Sequence, residues 1–339
     1  MARRSRCMNA RSAHYGILMG SEILRHAIAN YLKTARAVRC APEQVLIVNG
    51  SQQALEITAR VLLEPGVRVW IEDPCYRLAQ DAFKLNGCEL VPVPVDDEGL
   101  VVAAGIRKCR NAKAAFVSPS HQFPLGVTLS AARRFQLIDW AHRSGAWIIE
   151  DDYDSEYRYE SQPIASLQGL DPNSRVIYIG TFSKVLFPSL RLGYIVVPPD
   201  LVDRFLVTRR VMDLGPPTFH QEVLADFIGQ GHFERHIRRM RTLYGDLRRL
   251  LVENLHQHLE KIVTPVGDEA GMHLTVMLDS KHRDEDLAVR AVRQNLSLWP
   301  LSRLYLSHPR QGFILGFGGT TVSEIPLAIR RLRALLDSK

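Results

Sequence analysis

From residue 45 onward, short apolar runs alternate with stretches of helical periodicity. Val45–Val48 precedes the turn-forming Asn49-Gly50, and apolar positions then recur at Ala54, Leu55, Ile57, Val61 and Leu62, a pattern that predicts strand, turn and helix. Further strands are predicted at Val67–Glu72, Leu90–Val93, Ala114–Ser118, Trp147–Asp151, Val176–Gly180 and Gly193–Val197, with helices such as Arg133–Arg143 between several of them. Such alternation predicts an α/β fold, a mainly parallel sheet covered by helices. After Pro198-Pro199 the pattern changes. Helical periodicity runs from about Leu201 to Leu259, broken near Gly215-Pro216-Pro217, and is followed by strands at Met272–Leu278 and Phe313–Phe317 around a helix at Asp284–Gln294. Helices followed by separated strands predict a smaller α+β portion packed closely on the first, with no repeat, low-complexity tract or long linker between them.

The chain has 339 residues, 46% hydrophobic and 23% charged, enough for a sizeable core and unlike disordered, collagenous or coiled-coil sequences. No apolar run approaches the ~18 residues of a membrane-spanning helix. The net charge of +7 is compatible with nucleic acid, an anionic ligand or neither. The arginines at Arg3, Arg4 and Arg6 and those between Arg235 and Arg249 read as solvated faces. Five cysteines without a C-x-x-C pair, and a start without a secretory pattern, fit a reducing cytoplasm.

Chemistry gathers where the predicted strands end. Asn49-Gly50-Ser51-Gln52-Gln53 offers a hydroxyl, a flexible glycine and free amides at a helix start, suited to a phosphate or simply to capping by Ser51. Tyr76 follows another strand and is either a ligand-facing ring or a core tyrosine. Glu150-Asp151-Asp152-Tyr153-Asp154 can hold a cation, pair with a buried cationic nitrogen, or form a solvated acidic loop. No histidine or second acidic cluster is close in sequence, which weakens the metal alternative. Thr181-Phe182-Ser183-Lys184, with Arg191 seven positions on, suits a carbonyl-attacking lysine beside a phosphate clamp, against the alternative of a surface lysine. In the Pro- and Gly-punctuated loop 118–126, His121 is a cleft residue or a plain loop residue.

Taken in this order, the motifs resemble fold type I pyridoxal-phosphate enzymes, the aspartate aminotransferase-like group, from about Gly20 to the end. The strings Ser-Pro-Ser-His-Gln-Phe-Pro-Leu-Gly at 118–126, Ile-Glu-Asp-Asp-Tyr-Asp-Ser-Glu-Tyr at 149–157 and Gly-Thr-Phe-Ser-Lys at 180–184 are similar to the aminotransferase-like domain of MocR-type regulators of the GntR superfamily. The resemblance implies a large domain with a mainly parallel seven-stranded sheet and a smaller C-terminal α+β domain, divided as an N-terminal segment 1–30, a cofactor-binding domain 31–205 and a small domain 206–339. It implies pyridoxal 5'-phosphate as cofactor, with Lys184 as the Schiff-base lysine, Asp151 on the pyridine nitrogen and Tyr153 near the phenolic oxygen. Tyr76 would stack on the ring, Gly50, Ser51 and Gln52 would hold the phosphate with Thr181, Ser183 and Arg191, and His121 with Gln122 would line the cleft.

Two departures stand out. Phe123 replaces an asparagine that many aminotransferases place before the proline, and Ile314 stands where catalytic relatives commonly carry an arginine for the substrate carboxylate. Arg77 and Arg310 are the alternative anchors. These features favour an effector-sensing, dimerising module that responds to an amine, an amino acid or the cofactor itself, over a working aminotransferase. MocR-type regulators carry an amino-terminal winged helix-turn-helix, and only about twenty residues precede the Gly20–Arg25 segment at which the resemblance begins. The expectation is a homodimer without direct DNA or membrane contact by this chain.

Overall fold

The structure is a computed structural model describing residues 17–159, 164–279 and 281–337. Arg3, Arg4, Arg6 and Cys7 lie outside the described residues. Two sheets organise the molecule. The larger contains β1 (Val45–Val48), β2 (Arg68–Asp73), β3 (Glu89–Asp96), β4 (Gly99–Leu100), β5 (Ala114–Val117), β6 (Trp147–Asp152), β7 (Val176–Thr181) and β8 (Gly193–Val196), in the order β1-β8-β7-β6-β5-β2-β3-β4. The sheet thus has eight strands rather than seven. The addition is β4, a two-residue hairpin partner of β3 too short to leave an apolar pattern in the sequence.

β2, β3, β5, β6 and β7 run parallel, β8 runs antiparallel to β7, and β1 runs antiparallel to β8. β1 therefore points the same way as β7. The ends of β1, β2, β5, β6 and β7 all emerge on one edge, and β8 enters from it. Helices cover both faces, as continuous apolar strands such as Ala114–Val117 require. The helix Ala131–Ser144 shows how local sequence sets the boundaries: Ser130 Oγ accepts from Arg133 N–H at its start, and Gly145, at φ 62°, stops it. On that face Trp70 stacks on Trp140 with ring centroids 3.7 Å apart.

The smaller sheet has the order β11-β12-β10-β9, all antiparallel, from β9 (Val263–Val266), β10 (His273–Leu278), β11 (Trp299–Pro300) and β12 (Gly312–Gly316). The long helical region resolves into helices Val202–Asp213, Phe219–Gly229 and His232–Leu259. One continuous apolar core joins the last two helices and the small sheet to Leu24, Ile28 and Leu32 of the helix Glu22–Arg36. Arg235, Arg238, Arg239, Arg241 and Arg249 are solvent-exposed, as expected of a helix surface, whereas Arg248, expected on the same face, is half-buried, pairing with Asp268 at 3.3 Å and lying over the Tyr159 ring. Cys40, Cys75, Cys88 and Cys109 are free thiols. Among the described residues, no helix is long and apolar enough to cross a membrane.

Candidate active site

The strand-end motifs meet along the shared edge. Gly50 caps the helix Ser51–Leu62 at φ 84°, a left-handed conformation that favours glycine, and a Cβ there would come within 3.4 Å of the Arg191 guanidinium. Arg191 sits just before β8, and its Nη2 donates to the Asn49 carbonyl at 3.1 Å. Ser183 N–H donates to Thr181 Oγ1 at 3.2 Å in the turn that follows β7. The guanidinium of Arg191 thus lies against the start of the helix Ser51–Leu62, the kind of donor pairing an oxyanion such as phosphate requires. Gln53 braces it from below: its Oε1 accepts from Asn49 N–H at 2.8 Å and its Nε2 donates to Asp213 at 2.7 Å.

At the end of β6, two adjacent carboxylates are treated differently. Asp152 accepts from Arg36 Nε at 2.7 Å and from the Tyr178 hydroxyl. Burial opposes the Arg36 charge, and Asp152, together with Tyr178 and Glu150, more than offsets it. Asp151 has no such support. Its Oδ1 is buried without a hydrogen-bond partner, and burial, together with Asp152 and Asp154, pushes its carboxyl up to about 7. A buried acid in that condition fits a cationic nitrogen brought in by a ligand. Glu150, pushed up to about 7 by burial and Asp152, accepts from Leu167 and Gln168 N–H, and Glu72, pushed up to about 8 by burial, accepts from Ser118 N–H.

Tyr76 caps the helix Arg77–Leu85 and meets Phe123 edge to face at 5.7 Å. Burial raises its phenol, with Asp151 adding to the shift and Arg191 opposing it, so Tyr76 shares a field with both groups. Lys184 is exposed at the mouth. The buried His273 imidazole is pushed down to about 3 by burial and His121, with Lys184 adding to the shift, so that lysine also belongs to this space.

Several neighbours carried no local signal in the sequence: Arg36, Gly271 and His273; Asp154 belonged to the acidic motif after β6, without the role that follows. His121 Nδ1 lies 3.0 Å from Asp154 Oδ2 and 3.0 Å from the Tyr153 hydroxyl, and its ring is 4.9 Å from that of His273. Among the described residues, His121, Asp154 and His273 are the one grouping whose donor atoms lie within 4.8 Å of each other. Two histidines thus lie beside an acidic residue after all, one delivered by a strand of the other sheet. His121 Nδ1 and His273 Nε2 already hydrogen-bond within the protein, the latter to the Pro124 carbonyl at 3.2 Å, while His121 Nε2 is buried without a partner among the described residues. Of the two alternative anchors, Arg77 pairs with Asp81 at 3.2 Å and lines an open cleft of about 570 Å³ with Trp299 and Arg303, while Arg310 lies near enough to Tyr305 to oppose the upward shift of its phenol.

This edge-of-sheet geometry is that of an aminotransferase fold. The aminotransferase class I and II family profile matches residues 5–308, and the chain belongs to that family. It is 43% identical over 94% of its length, and 65% of the relative's, to the probable rhizopine catabolism regulatory protein MocR of Rhizobium meliloti. Among solved structures it is similar to an archaeal alanine:glyoxylate aminotransferase (TM-score 0.94, 28% identity, 100% of this chain and 86% of that one). It is likewise similar to Pyrococcus horikoshii kynurenine aminotransferase, solved in complex with PMP (TM-score 0.92, 28% identity, 99% and 85%). The chain spans about two thirds of the length of the curated regulators it matches.

Proposed function

We propose that the chain binds pyridoxal 5'-phosphate through Lys184 and is the effector-sensing and dimerisation part of a MocR-type transcriptional regulator. The observation that carries the cofactor reading is the buried, unpartnered carboxylate of Asp151, facing the same space as Tyr76 and Arg191. Gly50, Ser51 and Gln52 present amides to the phosphate, and Thr181, Ser183 and Arg191 close the clamp. Tyr76 covers the ring, and His121 lines the cleft. Asp151 pairs with the ring nitrogen and keeps its proton in place, and the approach of that cation lowers the Asp151 carboxyl from its raised value. Tyr153 addresses the phenolic oxygen. Lys184 Nζ is the nucleophile and the proton carrier. When bound, the group supplies an electron sink for charge developing on an amine's α-carbon.

Sensing is favoured over turnover by Ile314. It sits in β12 opposite Trp299, buried, and gives that wall no fork for a carboxylate. The reading includes a cytoplasmic homodimer, an amine, amino acid or the cofactor as effector, and the division into segments 1–30, 31–205 and 206–339. A free-standing aminotransferase is the second reading, favoured by the full set of cofactor-facing residues. Visible absorbance before and after borohydride, followed by a screen of amino donors with 2-oxo acids, tests both. We expect a reducible band and single half-reactions. Absence of the band sinks the cofactor reading, and multiple turnovers select the enzyme.

A further inference from the structure

His121 is 1% exposed and packed against both sheets' contributions to the site. A Cβ on Gly271 would overlap its ring and come within 2.6 Å of Asp154 Oδ2, so the histidine and its carboxylate are pressed onto the Gly271 backbone. The Nδ1 atom lies 3.0 and 3.2 Å from the two Asp154 oxygens and 3.0 Å from Tyr153 Oη. An ionised carboxylate offers only lone pairs, and a bare Nδ1 beside it would set lone pair against lone pair where no water screens them. Nδ1 therefore carries hydrogen. Shared between Asp154 and Tyr153, that N–H makes the phenol oxygen an acceptor. The phenol's own hydrogen is then left over, and among the described residues no second partner takes it.

We propose that His121, oriented by Asp154, is a positioning residue that fixes Tyr153 as a hydrogen-bond donor toward the bound cofactor. The inference rests on the cofactor reading above and adds to it the direction of one hydrogen. Without His121 the Tyr153 hydroxyl is free to turn toward Asp154, the nearest strong acceptor, and the cofactor loses its donor. A Tyr153 hydroxyl that donates to the phenolic oxygen competes there with the proton on the Lys184 nitrogen, which lowers the pH at which that nitrogen deprotonates.

Two measurements test this. In the cofactor-free protein, long-range nitrogen–proton NMR of isotope-labelled histidines, with the signal assigned by its loss in His121→Asn, reads the tautomer directly. We expect hydrogen on Nδ1. In the loaded protein, pH titration of the visible band is expected to move its midpoint up by about one unit in His121→Leu. Asp154→Asn should move it the same way by less, and His121→Asn, whose amide N–H replaces the donor, should stay near the parent. A bare Nδ1, or an unmoved midpoint in both His121→Leu and Asp154→Asn, overturns the proposal. If His121→Leu does not fold, Asp154→Asn and the tautomer decide. A parent chain with no visible band overturns the cofactor reading and this inference together, whereas a parent band with unmoved midpoints overturns this inference alone.

Discussion

The two sheets furnish opposite walls of one cleft and are equipped in opposite ways. The edge of the eight-stranded sheet brings together a helix start, a guanidinium, a lysine and, at the end of β6, a buried acid without a partner, and the backbone of Asn49 before the helix start is fixed by Gln53 and Arg191. The four-stranded sheet presents apolar strands: β12 reads Gly-Phe-Ile-Leu-Gly, and its contributions to the polar cluster are the neutral His273 and the bare backbone of Gly271. Binding machinery and substrate recognition are therefore separable in this architecture. A chain can keep the first wall complete while the second offers no charged anchor, which is the arrangement expected of a sensor.

The largest effect that would break this contrast falls on the first wall. Lys184→Ala should abolish any adduct fixed by borohydride, read by intact mass, because the clamp and the acid cannot form the bond to nitrogen. Where the walls touch, Gly271→Ala should cost roughly 2–4 kcal/mol in urea unfolding, since the added methyl collides with His121 and the backbone holds φ 76°. An unchanged midpoint would mean that the two sheets do not meet there. Asp151→Asn should weaken cofactor binding roughly 10- to 100-fold, from the ~1.5–3 kcal/mol of a hydrogen bond to a charged group.

The pH response sharpens the comparison further. The folded Asp151 carboxyl stands raised, at about 7, so its contribution to stability is full below the ordinary carboxylate value and is lost as pH rises through about 7. Glu150 and Glu72, raised to about 7 and about 8, act in the same direction. Urea midpoints of the cofactor-free chain should therefore fall between about pH 5 and about pH 8, and fall less in the loaded chain, where a cation faces Asp151. Equal slopes would contradict the pairing. The smallest effect belongs to the second wall: Ile314→Val should cost ~1 kcal/mol of stability and leave cofactor affinity unchanged.

The main strands were readable because they are buried on both faces and leave continuous apolar runs; β1 lies at Val45–Val48 as its pattern predicts, and the strand expected at Trp147–Asp151 extends one residue further. β4, β9 and β11 left no such trace. They are two to four residues long and partly open to solvent or hairpin-bound. The strand-end motifs were readable because the topology sends the ends of β1, β2, β5, β6 and β7 to one edge, which makes a local signal at each of those ends a shared one. What eluded the sequence was polar chemistry assembled across long separations. Arg36 reaches Asp152 from 116 residues away, and no local pattern marks either as a pair. His121 and Asp154 are 33 residues apart, and the glycine that holds them belongs to the other sheet's portion of the chain. Asp151 and Asp152 are indistinguishable as letters, and their different surroundings separate a carboxylate paired with Arg36 and Tyr178 through one oxygen from one whose buried Oδ1 has no partner, left for a ligand.

Peptide mapping of the borohydride-reduced chain tests whether Lys184 is the residue that holds pyridoxal 5'-phosphate. A pyridoxyl phosphate adduct is expected on the peptide that contains Lys184 and on no other lysine. An unmodified Lys184 peptide, or an adduct carried elsewhere, would contradict it.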